Sequence, residues 1–177
     1  VLGSNAGAAL AAIDVLGVPL SSKLISIAMA NLNLHGRRER RQLRDIEVIL
    51  DVAHNPDAAI KLKEFLQAQS PAGQTVAVFA VMSDKDCHDM ISSLDKVFDL
   101  WCLPDGIGGA RGMDPQTVSA MIPGVSEVFE SFPHAWRAAR HYAGDRGRIV
   151  VFGSFFTVAE GMRVLSAKPS DRLSLGL

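Results

Sequence analysis

Three things are scarce in this chain of 177 residues, and each scarcity narrows its chemistry. The 2 cysteines, Cys87 and Cys102, lack C-x-x-C spacing, which excludes a disulfide framework and a structural zinc site. Both read as reduced core thiols of a cytoplasmic protein. No uncharged apolar run approaches the roughly 18 residues that a membrane span needs, so no membrane partner is expected. Net charge is low as well: 18 basic against 19 acidic side chains leave -1, which argues against binding nucleic acid or an anionic membrane surface. His35, His88, His134 and His141 show no ligand-like spacing, so no metal site is expected from this chain alone. G-x-S-x-G is absent, which excludes a serine-hydrolase elbow. The opening Val1-Leu2-Gly3-Ser4-Asn5 has neither a start Met nor a basic n-region; it is not read as a signal peptide, and the chain is expected to be a piece of a longer one.

What is present is an ordinary globular composition, 48% hydrophobic and 21% charged, enough for one good core and an appendage. Residues 4–16 are rich in Ala and Leu and stop at Gly17, which suits a helix C-cap; a second helix is expected from Pro19 to about Asn31. Leu34-His35-Gly36-Arg37-Arg38-Glu39-Arg40-Arg41 reads as a charged connector, with a domain boundary near Gly36. The arginine run from Arg37 to Arg44 is either solvated or supplies a single phosphate-binding Arg. Beyond it, apolar runs alternate with helix-period segments, and strands are expected at 47–53, 75–81, 98–103, 126–129 and 148–153. Asn55 caps the helix after the first strand, Pro56 takes its first position, and Ala58, Leu62, Phe65 and Leu66 line one face while Lys61 points to water. Later helices follow Asp86 and Asp114-Pro115, open at Pro133, and begin at Thr157. The fold class is therefore α/β: a Rossmann-like, mostly parallel sheet of about five or six strands with helices on both faces, preceded by two helices from an upstream domain. The tail, Lys168 to Leu177, has no periodicity and is expected to be mobile.

Ligands in such sheets settle beyond the carboxyl ends of the strands, and four clusters fall there. Asp51, His54 and Asn55 either cap and solvate a turn or hold a ribose or metal-bound phosphate. Met82-Ser83-Asp84-Lys85-Asp86 is a solvated helix start, or a site for a zwitterionic amino acid with its carboxylate on Lys85 and its ammonium on Asp84 or Asp86. Gly106-Ile107-Gly108-Gly109-Ala110-Arg111-Gly112 superficially suggests a phosphate loop, but it is not G-x-G-x-x-G and reads as a flexible loop with one exposed Arg. In Val151-Phe152-Gly153-Ser154-Phe155-Phe156-Thr157, Ser154 is either a plain N-cap or an anion donor.

Asp51-Val52-Ala53-His54-Asn55-Pro56, preceded by Gly36-Arg37 and followed by Asp84-Lys85-Asp86 and Gly153-Ser154-Phe155, resembles the C-terminal part of the folylpolyglutamate synthase/dihydrofolate synthase family of Mur ligases. The segment after Gly36-Arg37 departs from that pattern, reading Arg-Glu where an apolar residue is usual. The resemblance implies an ATP-dependent amide-forming ligase that phosphorylates a carboxylate and lets the amine of L-glutamate displace phosphate. Residues 1–36 would be closing helices of the ATP-binding central domain and 37–177 the C-terminal Rossmann-like domain. Asn5, Arg37 and Asp51 would contact ATP; His54, Asp84, Lys85 and Ser154 would lie near glutamate, with His54 and Lys85 in catalytic roles. ATP and Mg2+ would be required, the metal ligands lying mostly in the N-terminal domain. Substrates would be L-glutamate and dihydropteroate or folate, and the macromolecular partner the protein's own N-terminal P-loop domain. These residues contain no G-x-x-x-x-G-K-[ST], so the chain alone is expected to be inactive. Asp51→Ala in the full-length enzyme is expected to weaken ATP use with little effect on folding. The alternatives are another Mur-type ligase of peptidoglycan synthesis, or a non-enzymatic receiver or nucleotide-sensing α/β domain.

Overall fold

Three apolar runs are buried along their whole length, as strands covered by helices on both faces must be. In the structure, a computed structural model describing residues 3–31, 34–69 and 73–167, these are β3 (Thr75–Phe79), β4 (Leu100–Pro104) and β6 (Arg148–Phe152). With β1 (Glu39–Leu43), β2 (Ile46–Asp51) and β5 (Ser126–Phe129) they form one six-stranded sheet in the order β1-β2-β6-β3-β4-β5. All pairings are parallel except β1 with β2.

Strand alternation divides the core into two layers. Ile49, Ala77, Phe79, Trp101 and Phe152 face α3 (Pro56–Gln67), α4 (Cys87–Ser93) and α5 (Pro115–Met121), packing on Leu62, Leu66, Met90 and Val118. Val48, Val76, Val78, Cys102 and Val151 face α6 (Phe132–Ala143) and α7 (Phe155–Ser166). On α6 the buried Phe132, Ala135, Trp136, Ala139 and Ala143 recur at helical spacing, and each large side chain fully buried this way contributes about 1.5–3 kcal/mol. Cys87 and Cys102 are both buried and unpaired; burial, with a nearby carboxylate, pushes their thiols up to about 11 and about 12.

The structure changes several expectations. Glu39–Leu43 is no connector but an edge strand, paired antiparallel with β2 from Glu39↔Leu50 to Leu43↔Ile46. Its exposed Arg40, Arg41 and Gln42 suit a sheet edge, because charge there discourages further pairing. Val52 and Ala53 lie beyond the end of β2, and the second helix, α2 (Ser22–Asn31), starts after Pro19, with Ser21 Oγ accepting from Leu24 N–H at 3.2 Å. The last helix starts two residues before Thr157. The tail, 168–177, lies outside the described residues. One charged residue that the pattern hid is Arg148, only 3% exposed: Nε donates to Glu47 Oε2 (2.7 Å), and its other nitrogens donate to the carbonyls of Leu66 (3.1 Å) and Gln69 (2.5 Å). It ties β6 to β2 and closes the C-terminal end of α3, at the N-terminal ends of the parallel strands, opposite the four clusters.

The first helix, α1 (Gly3–Val15), and α2 contrast with this core. No residue of α2 is buried, and Val15, Leu16, Leu24 and Ile27 are about half exposed or more.

Candidate active site

Parallel strands that end together bring their following loops together. Asp51 is level with Phe152, and Phe152 with Phe79, so the loops after β2, β6 and β3 open on one rim; β4 follows beside β3. The approach is tight at Gly153, whose φ of +109° and whose distance to Ala80 (2.5 Å from a Cβ to its carbonyl oxygen) leave no room for a side chain.

At the β2 end, Asp51 is buried, with Oδ1 accepting from Ala53 N–H (2.8 Å) and Oδ2 from Arg38 N–H (3.0 Å). Burial pushes its pKa above the usual aspartate value, against the opposing pull of those two bonds and of the Arg37 and Arg38 charges. Glu39 fixes the other side of the same turn: its Oε2 accepts from Gly36 N–H at 2.8 Å, and Val52 N–H donates to Gly36 O at 2.8 Å. Burial would raise Glu39, but the bonds from Gly36, Arg41 and His35 outweigh it and hold the carboxyl below its usual range. Two buried carboxylates thus aim the Gly36–Arg38 turn across the strand end. A cleft results, lined by Asn5 of α1, Arg37 and Arg38, Asp51, and Ala58 and Lys61 of α3. Three cations against one carboxylate suit an anionic ligand. Arg38 and Lys61 were not singled out from sequence; Lys61 follows Ala58 by three residues and so shares its helix face.

Asn55 is the cap of α3, its Oδ1 accepting from Ala58 N–H at 2.8 Å, with Pro56 at the first helical position. His54 is half-buried. Its Nδ1 lies 2.8 Å from Val52 O; a carbonyl only accepts, so Nδ1 carries a proton, and among the described residues Nε2 has no hydrogen-bond partner.

Ser154, 4% exposed, is the N-cap of α7, accepting from Thr157 N–H at 3.1 Å. Because Thr157 Oγ1 donates to Ala80 O (2.7 Å), the Ser154 hydroxyl must donate to Thr157 Oγ1 (2.7 Å), so its proton is committed inward. Phe155, 64% exposed, lies 6.1 Å from the His54 ring, linking the β6 and β2 corners.

After β3, Lys85 Nζ pairs with Asp84 Oδ2 at 2.8 Å, and this bond first, then the Lys85 and Arg111 charges, holds the Asp84 carboxyl below its usual range. Asp86 is occupied otherwise: it caps α4, accepting from Asp89 N–H at 3.0 Å. Arg111 comes to the same place, 3.6 Å from Asp84. Gly106–Gly112 is therefore not a free loop; it folds into a short 3-10 turn bonded to the segment after β3. Among the described residues, no group of three or more His, Cys, Asp and Glu could hold a metal ion, and no helix is long and apolar enough to cross a membrane.

One rim of this mostly parallel sheet thus carries a cationic cleft at one corner and the Lys85–Asp84 pair with Arg111 at another. Residues 36–155 match the Mur ligase, glutamate ligase domain, and the chain belongs to that family. The dihydrofolate synthase/folylpolyglutamate synthase of Escherichia coli strain K12 is 35% identical over 167 residues, which cover 94% of this chain and 39% of that protein. E. coli FolC in complex with DHPP and ADP superposes with a TM-score of 0.83 at 34% identity, over 93% of this chain and 39% of that one. A bifunctional folylpolyglutamate synthase/dihydrofolate synthase with Mn, AMPPNP and L-glutamate bound gives a TM-score of 0.75 at 34% identity, over 84% and 36%. The chain spans about two fifths of the length of the curated relatives it matches.

Proposed function

We propose that this chain is the C-terminal portion of an ATP-dependent ligase that adds L-glutamate to dihydropteroate, to folate or to both. Residues 1–36 are assigned to the end of its ATP-binding domain and 37–177 to its glutamate ligase domain. The observation that carries this reading is the convergence of Asn5, Arg37 and Asp51, from three separate segments, on one cationic cleft at the rim that also bears His54, Asp84 and Lys85. That relatives at about a third identity are described with ADP, or with AMPPNP, Mn and L-glutamate, supports it.

The reaction passes the γ-phosphoryl group of ATP to the substrate carboxylate, releasing ADP; the glutamate amine then attacks the acyl carbon, and inorganic phosphate leaves. Arg37, with Arg38 and Lys61 in the same cleft, holds phosphates, and Asn5 offers its amide to the nucleotide. Asp51 acts by fixing the turn that aims Arg37. His54, through its Nε2 lone pair, takes a proton as the glutamate ammonium becomes a nucleophile. Lys85 binds a glutamate carboxylate, balanced by Asp84, and Ser154 contributes through the α7 N-terminus that it caps. Mg2+ would neutralise charge between the phosphates. Asp51 already accepts a backbone N–H bond on each carboxylate oxygen, in keeping with metal ligands assigned mostly to the N-terminal domain. The P-loop, absent from this sequence, makes an N-terminal P-loop domain the partner. A cytoplasmic setting belongs to the same proposal, supported by the two buried, unpaired thiols.

The purified chain alone is expected to show no glutamate-dependent ADP release; joined to a P-loop domain of the same family, it is expected to show it with dihydropteroate or folate. In that protein Lys85→Met should raise the glutamate KM on the order of tenfold and leave the ATP KM nearly unchanged. Turnover by the isolated chain, or none by the joined protein, refutes the reading.

A further inference from the structure

The glycine-rich segment after β4 is fastened to the segment after β3 by its backbone. Ser83 N–H donates to Arg111 O and Met113 N–H to Val81 O, both at 2.9 Å, and Met82 and Gly112 form an isolated antiparallel bridge. A Cβ at Gly112 would lie 2.1 Å from the backbone oxygen of Ile107, and Gly108 has a φ of +80° that L side chains rarely adopt, so this closure needs both glycines. Its effect is positional: it delivers Arg111 to Asp84 and Lys85.

There the carboxylate of Asp84 has a cation on each side. Lys85 Nζ is hydrogen-bonded to one oxygen at 2.8 Å, whereas Arg111 stands 3.6 Å from the other, too far for a hydrogen bond. Among the described residues the Arg111 guanidinium donates no hydrogen bond, and the side chain is 70% exposed. Its fork of N–H groups is therefore available for a second carboxylate. Lys85 and Arg111 thus offer two cationic groups for two carboxylates, while Asp84 beside them suits an ammonium.

Position along the rim assigns the groups. Strands about 4.8 Å apart run β2, β6, β3, β4 from the cationic cleft to the loop of Arg111. A glutamate whose amine faces the nucleotide end presents its side-chain carboxylate toward the β4 end. We propose that Arg111 reads that side-chain carboxylate, with Lys85 on the α-carboxylate, and so makes the site select a dicarboxylic amino acid over its amide. This inference rests on the glutamate reading given above. Bidentate guanidinium–carboxylate pairing accepts two oxygens; the amide of glutamine would set its own N–H donors against Arg111.

The test is an NMR titration of the 15N-labelled chain with L-glutamate and with L-glutamine, repeated with Arg111→Gln and Arg111→Lys. The unaltered chain should show saturable shifts at 83–86 and 108–112 with L-glutamate and bind L-glutamine roughly tenfold more weakly. Arg111→Gln should erase that preference, and Arg111→Lys should restore part of it; an unchanged spectrum elsewhere shows that the fold is intact. If Arg111→Gln keeps the preference, Arg111 is not the selector while the glutamate reading stands. If the unaltered chain responds to neither amino acid, the glutamate reading of this rim falls, and the role of Arg111 with it.

Discussion

Asp51 and Asp84 stand on one rim and are held in opposite ways. Asp51 is 7% exposed, with both oxygens on backbone N–H groups, and burial raises its pKa. Asp84 is exposed, held by side-chain cations, and the Lys85 bond lowers its pKa. The first carboxylate is built into the backbone of a turn; the second is laid on the surface, where ion pairs add little stability and remain free to exchange partners. The corner assigned to the nucleotide is thus rigid by construction, and the corner assigned to the amino acid is adjustable.

Asp51→Ala should separate the corners most clearly. It strands two backbone N–H groups near the core and should cost about 3 kcal/mol in a denaturant titration, which replaces the expectation from sequence of little effect on folding. Asp84→Asn should leave the denaturation midpoint unmoved; a large loss there would erase the distinction. Gly112→Ala, which forces a Cβ against Ile107 O, should cost about 2 kcal/mol and show that the second corner is rigid in its loop, if not in its carboxylate. The smallest effect is on pH dependence, and the two groups contribute with opposite signs. Because the pKa of folded Asp51 lies above its unfolded value, its contribution is complete below the usual aspartate range and lost as pH rises through the raised pKa. For Asp84, with its folded pKa lowered, the contribution is present above that range and lost as pH falls through the lowered pKa. Carboxylate NMR should find Asp51 titrating at higher pH than Asp84; the reverse order contradicts the burial argument.

Local chemistry was legible wherever one residue decides one contact. Asn55 and Pro56 announce the start of α3, Asp114 caps α5 by accepting from Thr157's counterpart in that turn, Thr117 N–H, at 2.9 Å, and the apolar runs of β3, β4 and β6 are unmistakable. Strand β1 escaped because an edge strand needs no apolar face, and Glu-Arg-Arg-Gln-Leu carries none. Arg148 escaped because its partners, Glu47 and the carbonyls of Leu66 and Gln69, lie 79 to 101 residues away in sequence. The grouping of Asn5 with Arg37 and Asp51 has no periodic signal either; it followed from a family resemblance and is visible as a cleft only after folding. The delivery of Arg111 to Asp84 depends on glycines whose spacing fits no phosphate-loop pattern.

The place of β6 has a consequence for how the protein is made. It is the last strand among the described residues, yet it lies between β2 and β3, with Glu47 opposite Arg148 and Thr75 opposite the same arginine. On the ribosome, β1-β2 and β3-β4-β5 must wait as two half-sheets, each with an open inner edge, until β6, in about the last eighth of the described residues, has emerged. Such edges are sticky, and long-range closure is slow. Truncation before Arg148 should therefore yield an aggregating chain with two unjoined half-sheets rather than a smaller sheet.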